Sequence, residues 1–121
     1  MLIGYFERSD ERHDAAVDLV RRHRDQPFGS SPLTLAEFLA GPARRGERFT
    51  DDALGRLDRL AVRQIALNDD SPVGLARLRA SSRLPMPDCA VLHAAQQVGG
   101  AVASFDTRLC RAAEELGIPL A

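Results

Sequence analysis

The chain has 121 residues and a net charge of −1, enough for one packed core but not the balance of a protein that binds polyanions by bulk charge. Hydrophobic residues at 45% and charged residues at 27% are ordinary for a globular chain, and no apolar run approaches the ~20 residues of a membrane span. Every basic residue is an arginine, which excludes any mechanism that needs a catalytic lysine, the P-loop and the receiver domain among them.

In chain order, Met1 to Phe6 comes first, a short apolar start that is either a strand end or a first helical turn. Glu7, Arg8, Asp10, Glu11 and Arg12 interrupt it at once, so no secretory pattern forms and the expected address is the cytoplasm. Ser9 or Asp10 caps a helix running to Arg24, with Ala16, Leu19 and Val20 inward. His13 and His23 lie on its charged face and read as solvated. Residues 26–31 form a candidate strand. A helix over 32–39 follows, in which Thr34 lies at or near the cap and Glu37 stands three residues on, a capping-box spacing. Glu37 is also embedded among Leu33, Leu35, Ala36, Phe38 and Leu39, company in which a carboxylate is costly unless a cation or donor meets it. Gly41-Pro42 is expected to break this helix, with a polar connection over 44–49. Thr50 or Asp51 then caps a helix with Leu54, Leu57 and Ala61 on one side, and 64–67 is a second candidate strand. Ser71-Pro72 opens a helix to Ser82, decorated by Arg77, Arg79 and Arg83, which read as a solvated face or as contacts to phosphates.

Residues 84–111 organise the rest. Pro85 and Pro87 forbid helix before them, and Asp88 sits where an N-cap belongs. Ala90, Val91, Ala94, Ala95 and Val98 form an apolar face that Gly99 and Gly100 end. Residues 101–105 have the length and apolarity of a parallel strand covered on both faces. Asp106 closes that strand and caps a last helix with Leu109, Ala112, Ala113 and Leu116 inward. Gly117 terminates it, and 118–120 can add an edge strand. Alternating strands and helices in one domain, 1–121, predict an α/β fold with a parallel sheet and right-handed crossovers. His93 reads as peripheral. Cys89 and Cys110 form no C-x-x-C pair and read as small buried hydrophobes.

The segments P-D-C-A-V-L-H-A-A and G-A-V-A-S-F-D-T-R-L resemble the second half of a PIN-domain ribonuclease, and more narrowly the VapC toxins of toxin–antitoxin pairs. Ser104, Phe105 and Asp106 match the family's strand ending in Thr/Ser-x-Asp. The resemblance implies a three-layer α/β/α fold with a central parallel sheet. It also implies Glu37, Asp88 and Asp106 as catalytic and metal-holding carboxylates, and RNA as substrate. A cognate antitoxin and a homodimer come with it, their contacts falling on the helix pair after Glu37. The opening departs from the family. Residues 1–6 match the apolar run just downstream of the first family aspartate. That aspartate would lie about three residues upstream of Met1, and the first strand is missing or truncated with it. Either the working protein starts earlier than Met1 or this is a truncated copy with a weakened metal site.

The chemistry of those acids is simple. Asp88 and Asp106 taken singly are ordinary N-caps. Three carboxylates gathered from separate segments cannot all stay ionised without a cation, because like charges raise one another's pKa. Mg²⁺ or Mn²⁺ suits oxygen ligands and keeps several waters, and such an ion serves phosphodiester hydrolysis. Ser104 can orient a carboxylate or water, or simply bond to backbone. The expected activity is a metal-dependent endoribonuclease toxin neutralised by its antitoxin. The competing expectation is a catalytically impaired PIN-like module that only binds antitoxin or RNA.

Overall fold

The computed structural model describes residues 11–121. Met1 to Phe6 and the caps expected at Ser9 or Asp10 lie outside them. The described elements are α1 (His13–Arg22), β1 (Phe28–Ser30), α2 (Pro32–Arg45), α3 (Glu47–Arg59), β2 (Val62–Gln64), α4 (Ser71–Ser82), α5 (Met86–Val98) and α6 (Thr107–Glu115). The fold is mixed α/β, as the alternation predicted. The chain divides into two compact units, one of 1–28 with Phe38–Val62, the other of Gly29–Glu37 with Arg63–Ala121.

In the first unit the buried apolar residues are Ala16, Leu19 and Val20 of α1 and Ala53 and Leu57 of α3. The inward face predicted for α1 is the observed one. That of α3 differs: Ala53 pairs with Leu57 at the i, i+4 spacing, Leu54 is exposed, and Ala61 lies beyond the helix end. Gly41-Pro42 does not break α2. A proline within a helix removes one backbone bond, and beyond it the ladder resumes, with Gly46 N–H donating to the Pro42 carbonyl at 3.1 Å. The break comes at Gly46, whose φ of 126° is open to glycine and strained for other residues. Thus 44–49 is no polar loop: α3 starts at Glu47, and Thr50 lies in its first turn with its hydroxyl donating to the Gly46 carbonyl. Across the break, the Arg45 guanidinium stacks 3.9 Å above the Phe49 ring. Exposed Asp18–Arg22 and Asp52–Arg56 pairs at i, i+4 add a few tenths of a kcal/mol at most, roughly.

The second unit contains the larger core. Leu78, Leu84, Cys89, Leu92, Ala95, Val102, Leu109, Ala112, Ala113 and Ile118 form one buried cluster. β1 pairs with β2, and Ile65 N–H donates to the Ser30 carbonyl at 2.8 Å. The second strand therefore lies a little earlier than the predicted 64–67. Among the described residues, 101–105 form no full strand but a single parallel bridge, Val102 to Leu120, in which Val102 N–H donates to the Pro119 carbonyl and Ala121 N–H to the Val102 carbonyl. Among those residues that bridge is also what forms of the predicted edge strand. One buried residue, Val102, anchors the segment, and its neighbours stay partly or fully exposed.

Helix α5 is covered nearly all round: Cys89, Ala90, Leu92, His93, Ala94 and Ala95 are buried, while Val98 is exposed. His93 is therefore not peripheral. Its Nε2 lies 2.9 Å from the Ser71 hydroxyl, which also accepts from Asn68 N–H and donates to Asn68 Oδ1. Ser71 commits its hydroxyl to this network rather than capping α4. Gly74 makes room for the imidazole, since a Cβ there would stand 2.8 Å from His93 Cε1. Helices α4 and α5 are thus locked by a buried polar contact, with no spare volume beside it. The turn between them is pinned by Leu84 N–H to the Ser82 hydroxyl and by the Cys89 thiol to the Leu84 carbonyl.

Candidate functional site

The second unit contains all three predicted acids. Asp106 does what its sequence position predicts. It is the N-cap of α6, and its Oδ1 accepts from the backbone N–H groups of Arg108 at 2.9 Å and Leu109 at 3.1 Å. Ser104 sets this up from behind, its hydroxyl accepting Asp106 N–H at 3.1 Å. Ser104 therefore acts on the backbone of Asp106, the second of its two expected roles.

Asp88 is not a cap. Pro85 takes that position without any side-chain bond, and Asp88 is the third residue of α5, half-buried, its N–H donating to the Pro85 carbonyl. Two prolines set this start, Pro85 at the cap and Pro87 in the first turn, where a missing N–H costs nothing. Burial pushes the Asp88 carboxyl above the usual aspartate range. The charge of Asp106 pushes it further, and that of Arg108 opposes both. The structure thus brings Asp88 and Asp106 within electrostatic reach of each other.

Glu37 is placed differently. Ser31 occupies the cap position of α2: its hydroxyl accepts Leu33 N–H, and its carbonyl accepts Leu35 N–H. Thr34 lies in the first turn, and Glu37 stands too far along for a capping box. No residue of α2 is buried, and Glu37 is exposed. Its apolar neighbours in sequence are no apolar enclosure. Among the described residues no three His, Cys, Asp or Glu side chains gather closely enough to hold a metal ion.

The Asp88–Asp106 pair suits a hard divalent cation on chemical grounds. Its donors are carboxylate oxygens, and a cation would offset the burial and the Asp106 charge that together hold the Asp88 carboxyl high. The single oxygen that Asp106 commits to capping is Oδ1. Magnesium is commonly held by one or two carboxylates with waters completing its shell, so a pair is a sufficient protein contribution.

Other chemistries find no support here. Cys89 is buried, and Cys110 donates its thiol to the Ser104 carbonyl. Burial pushes the Cys110 thiol up, as do the charges of Asp106 and Glu114, which disfavours the thiolate a nucleophile needs. His93 and Ser71 are in contact but sealed in the α4–α5 packing. Arg77, Arg79 and Arg83 are exposed, and Arg83 ends α4 in the left-handed conformation. Two residues were under-read from sequence. Arg108 was visible as a cation placed just after the capping aspartate. The buried role of His93 had no such signal, because it depends on Gly74 of a different helix.

A family model described as the PIN domain matches residues 1–115. PIN domains are generally metal-dependent nucleases. None of the curated proteins and none of the solved structures compared with the chain matches it. Among the described residues no helix is long and apolar enough to cross a membrane.

Proposed function

The chain belongs to the PIN domain family, and from that premise we propose that it is a metal-dependent endoribonuclease acting as the toxin of a toxin–antitoxin pair. The observation that carries the reading is Asp88: a half-buried carboxylate with no capping duty, facing the charge of a second aspartate. Its place in the first turn of α5 suits the helix dipole, while the burial and second negative charge that raise its carboxyl are features of functional-site acids.

In this reading Asp88 and Asp106 hold Mg²⁺ or Mn²⁺, and Glu37 is the third carboxylate, assigned by resemblance. The ion, when bound, supplies charge neutralisation for the phosphoryl oxygens and a more acidic water. The chain's own residues supply the positioning. Ser104 fixes the Asp106 backbone, and Asp106 Oδ1 is tied to the first turn of α6. The His93–Ser71 contact fixes α5, which carries Asp88. A cognate antitoxin would cover the acids, an arginine being the natural partner for them. A homodimer, a cytoplasmic address and a single PIN-like domain over 1–121 complete the proposal.

The second reading, an impaired module that only binds antitoxin or RNA, is favoured by one observation: among the described residues the three acids do not form a metal-holding group. Cleavage of structured RNA by the 121-residue chain, with Mn²⁺, Mg²⁺ or EDTA, separates the two. A version extended upstream is run beside it. Cleavage that EDTA stops, and that Asp106→Asn abolishes without unfolding, is expected. Silence from both versions, with no divalent-dependent thermal shift, would leave the binding module.

A further inference from the structure

Helix α6 begins with a charge that its own stability does not select. Arg108 is the second residue of α6, and a cation in a first turn opposes the helix dipole. It has no carboxylate at helical spacing to answer it. Positions 104, 105, 111 and 112 are Ser, Phe, Arg and Ala, whereas Arg111 has Glu114 and Glu115 within reach. Among the described residues the ion pairs are Asp18–Arg22 and Asp52–Arg56, so Arg108 closes none there. Its side chain is exposed. Its backbone is bonded to the Asp106 carboxylate at 2.9 Å, which fixes where the side chain starts. Its charge also reaches Asp88. An exposed arginine thus starts two residues after Asp106, its backbone tied to that carboxylate, and its charge is felt at Asp88.

We propose that Arg108 is the residue that seats a phosphate of the RNA strand against the Asp88–Asp106 pair. This rests on the ribonuclease reading and names the contact that brings a polyanion to a doubly acidic site. Two carboxylates repel a phosphodiester. A guanidinium next to them offers bidentate hydrogen bonds to the phosphate oxygens and sets the register of the strand. Arg108 is a positioning residue here, because it fixes the substrate and exchanges no proton with it.

The test is binding, measured apart from cleavage. A short fluorescein-labelled single-stranded RNA of mixed sequence is titrated with the full chain in EDTA at several salt concentrations. Arg108→Gln is expected to weaken binding about tenfold and to shallow the slope of log K against log salt by about 0.7, one phosphate contact on a single strand. Arg111→Gln, one turn along the same helix, is expected to change binding less than twofold. Arg108→Lys should recover part of the affinity. The melting temperature of Arg108→Gln should stay close to that of the parent, since relief of the clash with the helix dipole offsets the lost attraction to Asp88. Binding by Arg108→Gln equal to that of the parent, or an equal loss in Arg111→Gln, would overturn the assignment and leave the ribonuclease reading standing. A parent chain that binds no RNA at all would remove both.

Discussion

Helices α5 and α6 each have an aspartate at their start, and each was legible as a cap. They turn out to be opposite cases. Asp106 is exposed, bonded to two backbone N–H groups and supported by Ser104. Asp88 is half-buried, starts no hydrogen-bonded cap and has its carboxyl held high by burial and by its neighbour. One carboxylate caps its helix. The other sits where the helix dipole favours an acid, but its burial and the charge of Asp106 raise its carboxyl. The comparison teaches that an acid's sequence position gives its address, while its burial and donors give its job.

The largest effect that could break this comparison is on stability, with opposite signs at the two sites. Asp106→Ala should cost about 1–2 kcal/mol, the ordinary loss of a helix cap, while Asp106→Asn should cost little because the amide oxygen caps equally well. Asp88→Asn should instead stabilise at neutral pH. Urea unfolding of the three variants decides it, and a destabilised Asp88→Asn would return Asp88 to the ordinary caps.

The pH dependence sharpens the same point. The raised carboxyl of Asp88 means that the folded chain binds that proton more tightly than the unfolded chain does. The stability it contributes is whole below the ordinary aspartate range and is lost as pH rises through the raised value. The advantage of Asp88→Asn over the parent should therefore be smallest in acid, grow across that window and level off above it. A difference that is flat with pH would show that burial and Asp106 do not act on Asp88 as described. The smallest expected effect is at Ser104. Removing its hydroxyl leaves Asp106 N–H without that acceptor, a loss of about 1 kcal/mol, seen as a slightly lower urea midpoint with the cap itself intact.

Much of the fold was readable because local rules governed it. The inward residues of α1 follow from their spacing, and the start of α6 from a capping aspartate. The misreadings occur where a distant residue overrides a local rule. Pro42 sits in a helix that has enough bonds on either side to survive one loss. The run 101–105 looks like a covered strand, but among the described residues its pairing is the single bridge of Val102 to Leu120. His93 has a partner 22 residues away across a helix pair. At the candidate site, the residues and their chain order were legible. The capping state of Asp88 and the exposure of Glu37 were not, because each depends on where a helix begins, and neighbouring caps shift that by two or three residues.

The buried imidazole has a use outside function. The His93 ring and the Ser71 hydroxyl meet at 2.9 Å inside the α4–α5 packing, so solvent reaches that contact only when the two helices part. In a nitrogen-labelled sample the ring nitrogens of His93 would report that local opening.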